Sequence, residues 1–171
     1  MSLSLYDASI LGYLRLLRSL EAILDKAEAH AAATGADLQA WADARLAPDM
    51  ASLIGQVQMA SDAAKSGAAR LAGVPVPSFP DVEITWAELK PRIDRTIAFL
   101  ETIRREDVDG HEDRTVELPI PGRTLTFTAS GFLFQFSLPN FHFHVVTAYD
   151  LLRAQGVPLV KADFLSGGQA F

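Results

Sequence analysis

The pairing in this sequence best suited to chemistry is Asn140 and His144, four residues apart, with Ser137 one turn earlier. Residues three and four apart share a helix face, and two ligands at that spacing are a common metal-binding unit. Here the first member is an amide, which binds soft or borderline metals much less well than an imidazole does. The other reading of the same spacing is a buried, hydrogen-bonded His–Asn pair, which the ligand count favours. His142 stands two residues before His144, roughly 200° away around a helix, so at most one of the two rings faces a core. His30 falls in the last turn of a helix, where a cation suits the dipole, and His111 in a charged loop. Gln56, Gln58 and Asp62 flank the apolar face of another helix and could approach His144 across a bundle axis. Tyr149, Asp150 and Arg153 could gather with Asp49 or Arg45, although surface ion pairs contribute little each. Were a metal held here, its ligands would be His144, Asn140 and Asp62, with Gln56 and Gln58 left open as alternatives to Asp62; the expected pocket residues are Gln56, Gln58, Ser137 and Tyr149. The sequence has no glycine-rich phosphate loop, no serine in a nucleophile-elbow context and no evident carboxylate pair.

Long helices must position these groups. From about Ser4 to Thr34, Ile10, Leu14, Leu17, Leu20, Leu24, Ala27 and Ala31 recur every three or four positions, which predicts an amphipathic helix roughly 45 Å long closed by Gly35. Ser4 followed by Asp7 resembles a capping box. A short helix is expected at Leu38–Leu46, capped by Asp37. A second long helix is expected from Pro48 to Ala72, rich enough in alanine to lie deep in a bundle. The proline-punctuated segment from Val74 to Pro80 cannot continue it and reads as an ordered linker. Thr85 and Glu88 form a capping box for a third helix running to about Arg105.

Alternation then replaces helical spacing. Val116, Leu118 and Ile120, then Leu125 and Phe127, predict a β-hairpin around Pro121-Gly122, with a connection somewhat longer or less twisted than the usual two-residue turn. Ser130 is the expected cap of a fourth helix, Gly131 to Gln155, kinked near Pro139 and followed by an extended tail from Val157; Gly167-Gly168 reads as a flexible end. The stripe Leu133, Ser137, Asn140, His144, Ala148, Leu151 favours helix over strand there. Because this last helix is apolar nearly all round, a homodimer is expected.

The chain has 171 residues, 49% of them apolar, and suits one domain over 1–171. The absence of cysteine excludes disulfides, thiolate metal sites and a cysteine nucleophile. A net charge of −6 argues against a nucleic-acid surface. No stretch is apolar enough to span a bilayer and the N-terminus lacks signal-peptide features, so neither a nucleic-acid nor a membrane partner is expected and the expected location is cytoplasmic.

Leu5-Tyr6-Asp7, Arg45-Leu46-Ala47-Pro48-Asp49-Met50, the run from Leu138 to His144, and Thr147-Ala148-Tyr149-Asp150-Leu151-Leu152-Arg153 together resemble a bacterial family of unknown function. That family is similar to the DinB/YfiT-like metalloenzyme superfamily, over nearly the whole chain. The resemblance implies an all-α, up-down-down-up four-helix bundle, here with a small β-hairpin between helices three and four, and often dimeric. It also implies a divalent metal, Zn or Ni, on three histidines: one from helix two and two as His-x-x-x-His on helix four. Some members are thiol transferases using bacillithiol or mycothiol, or glutathione-dependent isomerases. Carried over, the second helix-four histidine falls on His144 and the first on Asn140. The helix-two histidine has no counterpart, its nearest candidates being Gln56, Gln58 and Asp62. The resulting expectation is a DinB-like small-ligand or partner-binding module with a degenerate metal site and no cofactor. The alternatives are a divalent-metal-dependent thiol transferase or hydrolase-type enzyme, and a structural homodimer.

Overall fold

In the computed structural model, which describes residues 4–167 and 169, the first helix starts where Ser4 Oγ accepts the Asp7 amide at 3.0 Å. Only half of the expected capping box forms, because the Asp7 carboxylate turns to Arg105 at 2.5 Å. A π-turn, Asp7–Leu11, leads into α1, Gly12–Thr34, which ends at Gly35, and every residue of the expected apolar stripe is buried.

The next two helices are shorter than their patterns suggest. Asp37 caps α2, Leu38–Ala42, by accepting the Gln39 amide at 2.8 Å, but the helix stops before Leu46. The second long helix does not begin at Pro48; α3 runs Leu53–Ala72, with Ser52 Oγ accepting the Gly55 amide at 3.3 Å. Proline tolerates a helix start without imposing one, whereas a serine hydroxyl supplies an acceptor for an orphan N–H, so the cap prevails. Thr85 and Glu88 form their capping box, opening a 3-10 turn, Trp86–Glu88, and α4, Leu89–Leu100. The chain then breaks before a separate turn of helix, α5, Arg105–Val108, so the third helix does not reach Arg105 as one element.

Strands β1, Thr115–Ile120, and β2, Arg123–Thr128, pair antiparallel with Ile120 opposite Arg123. The connection is therefore just Pro121-Gly122, not a longer loop: proline presets the first turn position and Gly122, at φ +83°, takes the second, as a type II turn requires. Val116 and Leu118 are buried, which ties the hairpin to the helices.

Thr128, not Ser130, caps the last long segment, its Oγ1 accepting the Gly131 amide at 3.1 Å. That segment comprises α6, Ala129–Phe132, a π-turn, Leu133–Ser137, and α7, Leu138–Ala154. The irregularity expected near Pro139 is this π-turn, in which the Leu138 amide reaches back to the Leu133 carbonyl just before the residue that has no amide to offer. After an extended stretch, α8, Lys161–Leu165, unexpected from the pattern, packs on α1, with Ser19 Oγ donating to the Phe164 carbonyl at 2.8 Å. Gly168 lies outside the described residues; the Gly167 amide donates to Ser19 Oγ at 2.9 Å.

Among the described residues the protein is mostly helical with one two-stranded antiparallel sheet. Helix α3 packs between α4 and α7, and α1 packs against both of those as well. Ala60, Ala64 and Ala68 of α3 have no exposed surface, as expected for a helix deep in the core. Among the described residues no helix is long and apolar enough to cross a membrane.

Between α1 and α4, Glu21 is pushed up to about 7, by burial first and then by the Asp94 carboxyl, against the pull of Lys90. The folded chain thus holds this proton more tightly than the unfolded chain, whose Glu value is 4.5. Stability linked to Glu21 is fully present below about 4.5 and lost as pH rises to about 7. Glu21→Gln is expected to flatten that part of the stability–pH curve, read from urea midpoints on either side of the window; an unaltered slope would show the carboxyl is not linked to folding.

Candidate ligand cleft

Gln56 of α3 meets His144 of α7, and Gly67 of α3 meets Ser137 just before α7, so these two helices run antiparallel where they touch. Along one side of that contact opens a cleft of about 510 Å³. Met59 and Ala63 of α3, Phe136 and Leu118 give it an apolar floor, and His144 and Arg70 stand toward its two ends.

His144 is 9% exposed, and its Nδ1 lies 2.9 Å from Gln56 Oε1. Gln56 Nε2 donates to the Ala51 carbonyl at 3.3 Å, which turns the amide oxygen toward the ring and assigns the proton to Nδ1. No hydrogen bond from Nε2 to another described residue forms, nor is Nε2 a sealed-off orphan, so it opens on the cleft as an acceptor. Burial holds the His144 pKa below the usual 6.5, which keeps the ring neutral at pH 7. The expected His144–Asn140 hydrogen bond is replaced by this pairing across helices. Asn140, half-buried one turn away, lines the same cleft.

Asp62 also borders the cleft, but its Oδ1 already receives Arg92 Nη2 at 2.7 Å and Lys65 Nζ at 2.7 Å. Both cations are buried, and they balance the carboxylate charge although the Asp62 side chain stays 40% exposed. Ser137 is buried against Tyr13, oxygen to oxygen at 2.7 Å, and does not line the cleft. Gln58 turns away, donating to Glu83 Oε2 at 3.1 Å in a separate hollow beside Arg45. Tyr149 packs edge-on against Phe164 of α8, with ring centroids 6.4 Å apart. Arg153 donates to the Val157 carbonyl at 2.8 Å, so no Tyr149–Asp150–Arg153 cluster forms with Asp49 or Arg45. The other histidines stand apart. His142 faces a hollow with Arg15 and Phe164, His30 stacks on Trp41, and His111 is exposed.

The pattern of residue types did not single out Lys65, Arg70, Arg92 or Phe79. Phe79, from the proline-punctuated linker, lies under Lys65 Nζ at 4.5 Å and under the Arg95 guanidinium at 4.4 Å. Such cation–π contacts hold the ring against the two cations. The available signal was Arg92, a charge adjoining Ile93 of the apolar stripe.

A divalent metal needs several converging, deprotonated donors with free lone pairs. Among the described residues no group of three or more His, Asp or Glu side chains gathers in that way. Asp62 would have to leave two cations to bind, and Asn140 adds only a neutral amide. The donor set does not fit a divalent ion.

The mostly helical fold with a small hairpin is DinB-like. A crystal structure of a DinB family member protein from Shewanella denitrificans superposes with a TM-score of 0.85 at 38% identity, covering 94% of this chain and 91% of that one. Residues 5–165 match the domain of unknown function DUF1993, and the chain belongs to that family. No curated protein matches it.

Proposed function

We propose that this protein is a single-domain binding module for a small organic ligand, its four long helices in up-down-down-up order, with the cleft beside His144 standing where related folds would hold a metal. The observation that carries the reading is the state of the polar groups: His144 is oriented by Gln56 and Asp62 is neutralised by Arg92 and Lys65, yet Nε2 of His144 remains open to the cleft. A concave, largely apolar site with a few fixed polar groups is the usual form of a small-molecule site. The homodimer reading is supported by Phe134, Phe143 and Val146, which stay 48%, 56% and 40% exposed.

Elemental analysis of protein purified without a His tag or chelator tests the reading, together with the His144 ring resonances recorded during a fragment screen. The expected result is substoichiometric metal and saturable shifts of the His144 signals. One Zn or Ni per chain, lost in the Asn140→Ala, His144→Ala double variant, would overturn it in favour of a metal-dependent thiol transferase or hydrolase.

A further inference from the structure

Arg70 is the cleft cation without a carboxylate partner among the described residues, since Lys65 and Arg92 are both paired with Asp62. Its guanidinium folds back along α3, with Nη1 donating to the Ser66 carbonyl at 3.2 Å and Nε to the Glu117 carbonyl at 3.4 Å. An arginine has five N–H donors, so most of the fork remains free. Partial burial of the guanidinium disfavours its charged form, a cost that a bound anion would offset.

At the other end, Nε2 of His144 is the hydrogen-bond acceptor of the ring, since the Nδ1 proton is directed to Gln56 Oε1 at 2.9 Å. From Met59 or Gln56, beside His144, to Ser66, where the guanidinium rests, α3 advances about 10–15 Å at its rise per residue. The wall between them is apolar at Met59, Ala63, Phe136 and Leu118.

Resting on the binding-module reading, we infer that the cleft takes an elongated organic monocarboxylate: carboxylate on Arg70, apolar body along α3 and α7, and a hydrogen-donating group, such as a hydroxyl, on Nε2 of His144. A single planar fork suits a monoanion bound through two parallel hydrogen bonds. A dianionic phosphate would call for a second free cation, which Lys65 does not provide while it holds Asp62.

Three probes of equal length separate the end groups: 10-hydroxydecanoate, 1,10-decanediol and 1,10-diaminodecane. Calorimetric titration of the full chain is expected to show that hydroxydecanoate binds best and shifts the His144 ring signals. Arg70→Gln should weaken it roughly tenfold or more, as loss of a charged hydrogen-bonding partner does. Arg70→Lys should recover part of the loss, and the diol, which has no charge to lose, should be weakened several-fold less than hydroxydecanoate in both variants. Arg70 is half-buried and at the end of its helix, so the variants are expected to fold, which circular dichroism checks. Equal affinity in wild type and Arg70→Gln would overturn the assignment, as would failure of hydroxydecanoate to bind. Tight binding of the diamine, with His144 shifts, would refute the carboxylate while leaving the binding-module reading intact.

Discussion

Arg92→Met is expected to destabilise the protein by about 3–5 kcal/mol, the cost of removing one partner from a buried ionic cluster. The Arg92 side chain has no exposed surface and all three of its nitrogens are engaged. Nε donates to Ser61 Oγ at 2.9 Å, Nη1 to Glu83 Oε2 at 3.0 Å and the Pro80 carbonyl at 3.2 Å, and Nη2 to Asp62 Oδ1 at 2.7 Å with Asp81 Oδ1 at 3.0 Å. Methionine fills much of the volume but answers none of these acceptors. Glu83, 8% exposed, would keep Arg95 at 3.3 Å, Gln58 at 3.1 Å and its own backbone N–H, but lose its fully buried cation. Although burial pushes Glu83 up, hydrogen bonds from Gln58 and the backbone and the charges of Arg92 and Arg95 hold it below its usual 4.5. Its contribution is therefore present above pH 4.5 and lost as pH falls through its lower folded value, and Arg92→Met should shrink that acid-dependent part. Adding Glu83→Gln to the variant should recover some stability by removing the stranded charge. Urea unfolding of the three proteins measures all of this. By contrast, the half-exposed pair Arg18–Glu101 should cost less than about 1 kcal/mol when broken. A loss of that small size for Arg92→Met would show the cluster does not hold the linker to the helices.

How much of this was legible in the sequence depended on the range of the interaction. The stripe from Ile10 to Ala31 announced α1 because helical periodicity is local, and Gly35, Asp37 and the Thr85–Glu88 box marked ends for the same reason. Of two competing local signals the pattern favoured the weaker: Pro48 and Ser52 each permit a helix start, and Ser52 prevails because its Oγ accepts the Gly55 amide. At the site, periodicity placed His144 on the inner face and Gln56 and Asp62 on the helix opposite. It could not choose the partner of His144, since Asn140 is the neighbour along the chain while Gln56 is the neighbour in space. Arg92, Lys65 and Phe79 stayed hidden because they meet through a proline-rich linker whose path no repeating pattern encodes.

Gly67→Ala, a substitution that stabilises an ordinary exposed helix by about 1 kcal/mol, is expected here to destabilise by about 1–3 kcal/mol net. A Cβ on Gly67 would lie 2.4 Å from Ser137 Oγ and 2.8 Å from the Tyr13 hydroxyl, well inside van der Waals contact. Neither neighbour has room to withdraw. Tyr13 is fully buried, edge-on to Phe141 with ring centroids 5.0 Å apart, and burial raises its hydroxyl pKa so that it stays a protonated hydrogen-bonding group. Its bond to Ser137 at 2.7 Å joins α1 to the π-turn directly across the glycine, so the new methyl must either part that bond or push α3 away from α7. The background Tyr13→Phe, Ser137→Ala removes both oxygens together, leaving no buried hydroxyl unpaired. There Gly67→Ala is expected to turn neutral or stabilising, because the methyl then fills the space the oxygens leave and the helix propensity of alanine is what remains. Thermal and urea unfolding of the four proteins close the cycle. If Gly67→Ala costs the same in both backgrounds, the close approach of α3 to the Tyr13–Ser137 pair is not what requires glycine at this position.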